Sequence, residues 1–113
     1  MKLTIIRADG SVYKDGVSYS DLDLSFIPSN VHALQFNDVS IAGWIEFVEN
    51  DFGEKEPNEK IIMLPNWATL SLSKWDEANA IEESLILAAK EAEIRAAQIA
   101  EANQPQTTGT QTA

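Results

Sequence analysis

The 113-residue chain has no cysteine, a single histidine, and only eight basic residues against 18 acidic ones. The absence of cysteine excludes disulfide bonds, thiolate catalysis and cysteine-ligated zinc. The formal net charge of −10 disfavours electrostatic binding to nucleic acid or to an anionic membrane. No apolar run approaches the roughly 18 residues that span a bilayer, and the start does not resemble a signal peptide. We therefore expect neither a nucleic-acid nor a membrane partner.

Glycine and proline are also missing from a long stretch of the second half. Residues 66–103 contain neither and are rich in alanine, which favours one long helix. Pro65 suits the first helical position, where its missing N–H would have no partner. An alternative is a strand over 69–72 followed by a helix from Ser73, since Ser73 and Asp76 have the spacing of a capping box.

The first 64 residues are typical of a small antiparallel sheet of four to five strands. Two Asp-Gly pairs separate short β-branched segments, and this is the strongest short hairpin signal. The predicted three-stranded meander has strands over 3–7, 11–14 and 17–19. A second strand pair is expected over 31–36 and 43–48, whereas 61–64 is either a last short strand or the lead-in to the helix.

The fold class that follows is α+β, with a hairpin meander and one long C-terminal helix. We expect a β head over 1–64, a helix over 65–103 and a disordered tail over 104–113, which is polar and uncharged. A helix over 66–102 would be about 55 Å long. A head of this size is roughly 25–30 Å across, so it can cover only the first turns of the helix.

Aromatic side chains are expected to form the core between the head and the first helical turns. Along 43–48, Trp44 alternates with Glu46, while Ile45 and Phe47 share the other face of the strand. Tyr13, Tyr19, Phe36 and Trp44 would be a base-stacking platform if they were exposed, but without basic residues to hold phosphates we expect them in the core. The head–helix core is predicted to contain Trp67, Trp75, Trp44 and Phe47.

The distal part of the helix is predicted to bind a partner. A heptad frame places seven residues at a and d: Ala78, Ile81, Leu85, Ala88, Ala92, Arg95 and Ile99. Ile86, Leu87 and Ile94 lie outside that frame. The residues are compatible with an alanine-rich solvated helix, but an isolated helix of this size is marginal in water. We therefore favour a partner-binding surface made of Ile81, Leu85, Ala88, Ala92 and Ile99.

The sequence contains no pattern that indicates catalysis. His32 lies in a predicted strand, where a structural role is the expected one, and neither Walker A nor G-x-G-x-x-G occurs. Asp21 and Asp23 lack the remaining ligands of an EF-hand. The acidic segment from Glu49 to Glu59 is typical of a solvated loop. We expect no catalytic residue, no metal site and no cofactor.

One family resemblance narrows the role. The chain resembles small proteins encoded beside tail-fibre genes in tailed bacteriophages, which are often described as tail-fibre assembly proteins. The resemblance covers residues 1 to about 80, and it rests on segments 1–7, 12–17, 22–25, 28–36, 43–47, 58–59, 64–68 and 74–78. It implies a viral protein of the host cytoplasm or of the virion tail. It supplies no catalytic residues, and the distal helix lies outside it.

From the resemblance and the distal helix together we expect a non-enzymatic tail-fibre accessory protein. It would act as a chaperone-like assembly factor whose partner is the tail-fibre protein or another tail protein. The alternative is a small virion structural protein that forms a homo-oligomer, through a coiled coil of its C-terminal helices.

Overall fold

The computed structural model describes residues 1–102, which form one antiparallel six-stranded sheet and one helix. The elements are β1 (Lys2–Ile6), β2 (Ser11–Lys14), β3 (Val17–Tyr19), β4 (Val31–Asn37), β5 (Ala42–Phe47), β6 (Glu59–Ile61) and α1 (Asn66–Ala102). The α+β prediction is confirmed, with six strands in place of the expected four to five. The disordered tail predicted over 104–113 lies outside the described residues.

Strand order in the sheet is β3-β2-β1-β4-β5-β6. The first three strands form the expected meander, and β4 and β5 form the expected pair. Residues 20–30 return the chain from β3 at the edge of the sheet to the free side of β1, where β4 pairs antiparallel with it. The sequence leaves open whether a last short strand precedes the helix. The structure has this strand, β6, at Glu59–Ile61 rather than at 61–64.

The two Asp-Gly pairs make different turns. Asp15 and Gly16 both have positive φ, 50° and 85°, which is the two-residue hairpin turn that Asp-Gly favours. At the first pair only Gly10 has positive φ, and its N–H donates to the carbonyl of Arg7 across a four-residue turn. A Cβ on Gly10 would lie 2.5 Å from the carbonyl oxygen of Leu22, so this turn also requires the close approach that only glycine allows.

The core lies on one face of the sheet. Strand register puts Val12, Ile5, Leu34 and Ile45 opposite one another across four neighbouring strands, and all four are buried. Leu24 and Ile27, from the connection between β3 and β4, join the same cluster. The first turns of α1 contribute Ala68 and Trp75, and both are buried.

Helix α1 begins directly after Pro65, whose carbonyl accepts hydrogen bonds from the N–H groups of Ala68 and Thr69. The alternative start at Ser73 is therefore wrong, and 69–72 is helical. The helix is unbroken to Ala102. The chain divides into a compact unit over Met1–Asn79, which includes the first turns of α1, and a second unit that begins at Ala80.

Trp75 makes the most specific contacts between α1 and the sheet. Its Nε1 donates to the carbonyl oxygen of Val17 (2.9 Å), and its ring meets the Tyr19 ring edge-on at 5.5 Å between centroids. The Nζ of Lys14 lies 4.6 Å from the Trp75 ring centroid and 3.7 Å from Asp76 Oδ1. The hairpin of β2 and β3 therefore fixes both the position and the rotation of the first helical turns.

Gly43 provides a test of the packing between β4 and β5. A Cβ at this position would clash with the carbonyl oxygen of Gln35 and lie 2.8 Å from the Cα of Phe36, both of which are backbone atoms. We expect Gly43→Ala to lower the free energy of unfolding by about 2–3 kcal/mol, because the strands must separate. Gly16→Ala is the control, since its Cβ meets nothing within 4 Å. It should cost only about 1 kcal/mol, for its positive φ. Urea denaturation measures both, and equal losses would contradict the clash.

Candidate protein-binding surface

The five residues predicted to bind a partner all lie on the exposed distal part of α1. Every residue from 80 to 102 is exposed. The large side chains among the five are more than half exposed: Ile81 by 63%, Leu85 by 66% and Ile99 by 54%. With a rotation of about 100° per residue, the five fall within a sector of about 60° on one side of the helix. We call this surface the helix stripe; it consists of Ile81, Leu85, Ala88, Ala92 and Ile99.

Charged and apolar residues alternate over the rest of this helical segment. Glu82 and Glu91 flank the helix stripe on its two sides, each about a quarter turn from its centre. Ile86, Leu87 and Ile94 are exposed on the far side among acidic residues and one lysine. The helix stripe is therefore a row of apolar residues that Arg95 interrupts between Ala92 and Ile99, and it is not the only apolar surface of the distal helix.

Exposed apolar residues on this scale favour an interaction surface. Single exposed hydrophobic residues are common in soluble proteins, whereas large contiguous apolar patches are typical of interaction surfaces. An amphipathic helix can lie in a groove of a partner or pack against another helix, and in both cases the row supplies anchors at i, i+4 and i+7. Ile81, Leu85 and Ala88 have that spacing.

The four residues predicted for the head–helix core have two different positions. Trp75 is 8% exposed, and Trp67 and Phe47 are half-buried against the core. Trp44 is 42% exposed, and its Nε1 donates to Glu46 Oε2 (3.0 Å) on the same strand. The placement of Trp44 in the core is wrong. The alternation along β5 assigned it to the face opposite Ile45, and that pattern decides its position.

Tyr13 and Trp44 lie on the face of the sheet opposite the core, which we call the open face. Strand register aligns Tyr13, Thr4, Gln35 and Trp44 in one row across β2, β1, β4 and β5. In the middle of this row, Thr4 Oγ1 donates a hydrogen bond to Gln35 Oε1 (2.7 Å). Tyr13 is 41% exposed, so its expected place in the core is also wrong.

The other two aromatic side chains of that set are on the helix side of the sheet. Phe36 is buried, and Tyr19 is half-buried against Trp75. The four rings therefore do not share one face, and a stacking platform of all four is excluded.

The acidic residues and His32 of the head are distributed over strands, turns and loops. His32 is exposed on β4. No group of three side chains from histidine and the acidic residues is placed to hold a metal ion within the described part of the chain. The Asp23 carboxylate accepts hydrogen bonds from Ser25 Oγ (2.7 Å) and the Ser25 N–H (3.1 Å), and these bonds hold the pKa of Asp23 below its usual range. Asp23 thus closes a local turn in the connection between β3 and β4.

Comparisons with known proteins identify no relative: no family model, curated protein or solved structure matches the chain. Within residues 1–102, no helix is long and apolar enough to cross a membrane.

The positions of the two tryptophans predict opposite responses to truncation. Trp75→Ala removes a buried ring, its hydrogen bond to Val17 and its contact with Lys14, so we expect a loss of about 3–5 kcal/mol in the free energy of unfolding. Trp44→Ala removes a ring from the open face and should cost less than about 1 kcal/mol. Thermal or urea denaturation measures both. A large loss for Trp44→Ala would mean that its ring belongs to the core after all.

Proposed function

We propose that this chain is a bacteriophage tail-fibre accessory protein that acts without catalysis, as an assembly factor that binds fibre protein. The observation that carries the proposal is the helix stripe, a row of apolar side chains on a helical segment whose residues are all exposed. The identity of the partner comes from the resemblance of residues 1 to about 80 to the proteins encoded beside tail-fibre genes.

The mechanism is temporary burial of apolar surface. Fibre chains that await trimerisation expose hydrophobic segments, and such segments associate wrongly when they remain uncovered. The helix stripe covers a segment of that kind, with Ile81, Leu85 and Ile99 as anchors. The net charge of −10 keeps the complex soluble while the fibre assembles. The site of action that we propose with this mechanism is the host cytoplasm during assembly.

A second candidate function uses the same surface. The a and d spacing of the helix stripe suits a coiled coil as well as a groove, so a virion structural protein that self-associates through α1 is the alternative. Mass spectrometry of purified phage particles separates the two functions. A stoichiometric presence of the chain in the tail favours the structural protein, and its absence favours the assembly factor.

Leu85→Asp tests whether fibre protein binds the helix stripe. The tagged chain is co-expressed with a bacteriophage tail-fibre protein, and the recovered fibre protein is quantified after affinity purification. A carboxylate buried in an apolar contact is costly, so we expect recovery to fall by about tenfold or more. Ala97→Asp is the matched control, because it adds the same charge on the opposite side of the helix and should leave recovery unchanged.

Two results would contradict this function. The first is equal recovery with Leu85→Asp and Ala97→Asp, because the helix stripe would then not be the contact. The second is loss of the head fold in Leu85→Asp, seen as a lowered melting temperature relative to the control. Leu85 is 66% exposed, so its replacement should not affect the sheet.

A further inference from the structure

We propose that a pocket beside Trp44 on the open face of the sheet binds a pyranose sugar that carries a carboxylate. The indole of Trp44 stacks on the apolar face of the sugar ring, and donor groups on β1 and β4 bind the oxygens of the sugar. The pocket lies on the sheet and not on the helix stripe, so this inference goes beyond the proposed function and does not rest on it.

Strand register builds the pocket from neighbouring positions of β1, β4 and β5. Lys2 is opposite Asn37 and Asn37 is opposite Ala42, in the row next to the one that contains Gln35 and Trp44. These five side chains line a shallow pocket of about 230 Å³, which we call the Trp44 pocket. Pockets for drug-sized ligands have roughly 300–1,000 Å³, so the Trp44 pocket suits a ligand of one ring.

A hydrogen bond holds the indole of Trp44 in place without a ligand. Its Nε1 donates to Glu46 Oε2 (3.0 Å), and its side chain remains 42% exposed. Glu46 is two residues after Trp44 on β5, whereas Ala42, which lines the pocket, is two residues before it. The C–H groups on one face of a pyranose are apolar. Stacking them on a fixed indole removes apolar surface from water without the cost of ordering a side chain.

The amide side chains of the Trp44 pocket present donors to a ligand. Asn37 Oδ1 accepts hydrogen bonds from the N–H groups of Val39 (2.9 Å) and Ser40 (3.4 Å). Gln35 Oε1 accepts the bond from Thr4 Oγ1. The amide oxygens are thus engaged, while the two NH₂ groups have no hydrogen-bond partner among residues 1–102. Two donors of this kind suit the hydroxyl and carboxylate oxygens of a sugar.

Charge favours an acidic sugar over a neutral one. Asp15 Oδ1 accepts a hydrogen bond from the backbone N–H of Lys2 (2.8 Å), and Asp38 pairs with the N-terminal ammonium group. The ammonium group of Lys2 forms no ion pair within the described residues, although acidic residues outnumber basic ones by 18 to eight. Lys60, opposite Trp44 on β6, adds a second positive charge to this face. A ligand carboxylate in the Trp44 pocket would form a charge-assisted hydrogen bond with Lys2.

An NMR titration of the full chain tests the site. Sodium glucuronate and glucose share the same ring and differ at the carboxylate, and sodium acetate supplies a carboxylate without a ring. Binding is followed through the backbone amide signals of residues 35–44, which surround the Trp44 pocket. We expect glucuronate to shift these signals with a Kd at least about tenfold lower than that of glucose or of acetate.

Trp44→Ala tests the stacking contact. We expect it to weaken glucuronate binding by about tenfold or more, because the apolar platform is lost. Tyr13→Ala is the matched control. It removes a ring of nearly equal exposure, 41% against 42%, from the same face but outside the Trp44 pocket, and it should leave binding unchanged.

Two substitutions test the polar contacts. Lys2→Gln should reduce the preference for glucuronate over glucose to about twofold, whereas Lys90→Gln on the distal helix should retain the full preference. Asn37→Asp keeps an oxygen to accept the N–H of Val39, but it replaces the NH₂ donor by a negative charge. We expect it to weaken glucuronate binding by about tenfold or more.

Four results would overturn the proposal. Signals that do not shift with glucuronate would show that the Trp44 pocket binds no acidic sugar. Equal affinity for glucuronate and acetate would show a general anion site, and equal affinity for glucuronate and glucose would show that the carboxylate is not recognised. Equal effects of Trp44→Ala and Tyr13→Ala would exclude the stacking contact. None of these results bears on the proposed function, which is judged by recovery of fibre protein.

Discussion

The contact of Trp75 with the hairpin of β2 and β3 is the interaction on which the placement of the first helical turns depends. Its indole donates a hydrogen bond to the Val17 carbonyl, packs edge-on against the Tyr19 ring and lies beside the Lys14 ammonium group. A purely apolar contact would be compatible with several orientations of the helix about its axis, whereas the hydrogen bond from Trp75 Nε1 to Val17 fixes one orientation. Tyr19 extends the same contact by a hydrogen bond from its hydroxyl to Asn79 Oδ1 (2.9 Å). This contact reaches to the last residue of the first compact unit.

The second half of α1 has a different source of stability. Residues 80–102 are all exposed, so their side chains gain little from burial within the chain. Alanine and other strong helix formers make up most of this segment, and the helical turns that precede it remove the cost of nucleation. The sequence can therefore keep a helix here without a core. It leaves the large apolar side chains of the helix stripe, Ile81, Leu85 and Ile99, exposed.

Most of the fold could be predicted from local patterns. The Asp-Gly turns located the meander, and Pro65 with the absence of glycine located the helix. The extra strand β6 could not be predicted in this way, because Glu59–Ile61 shows no alternation of apolar and polar residues. Its strand conformation depends on pairing with β5. The lack of basic residues argues against a stacking platform and so predicts Tyr13 and Trp44 in the core, but both are exposed. Strand alternation predicts their positions correctly, because it determines which face of the sheet each side chain occupies.

The helix stripe was predictable because heptad spacing is a local property, but its occupant depends on chemistry that spacing does not contain. Arg95 supplies part of that chemistry. A charged residue in a seam costs stability, and it also rejects the pairings in which that charge is opposed by its own kind.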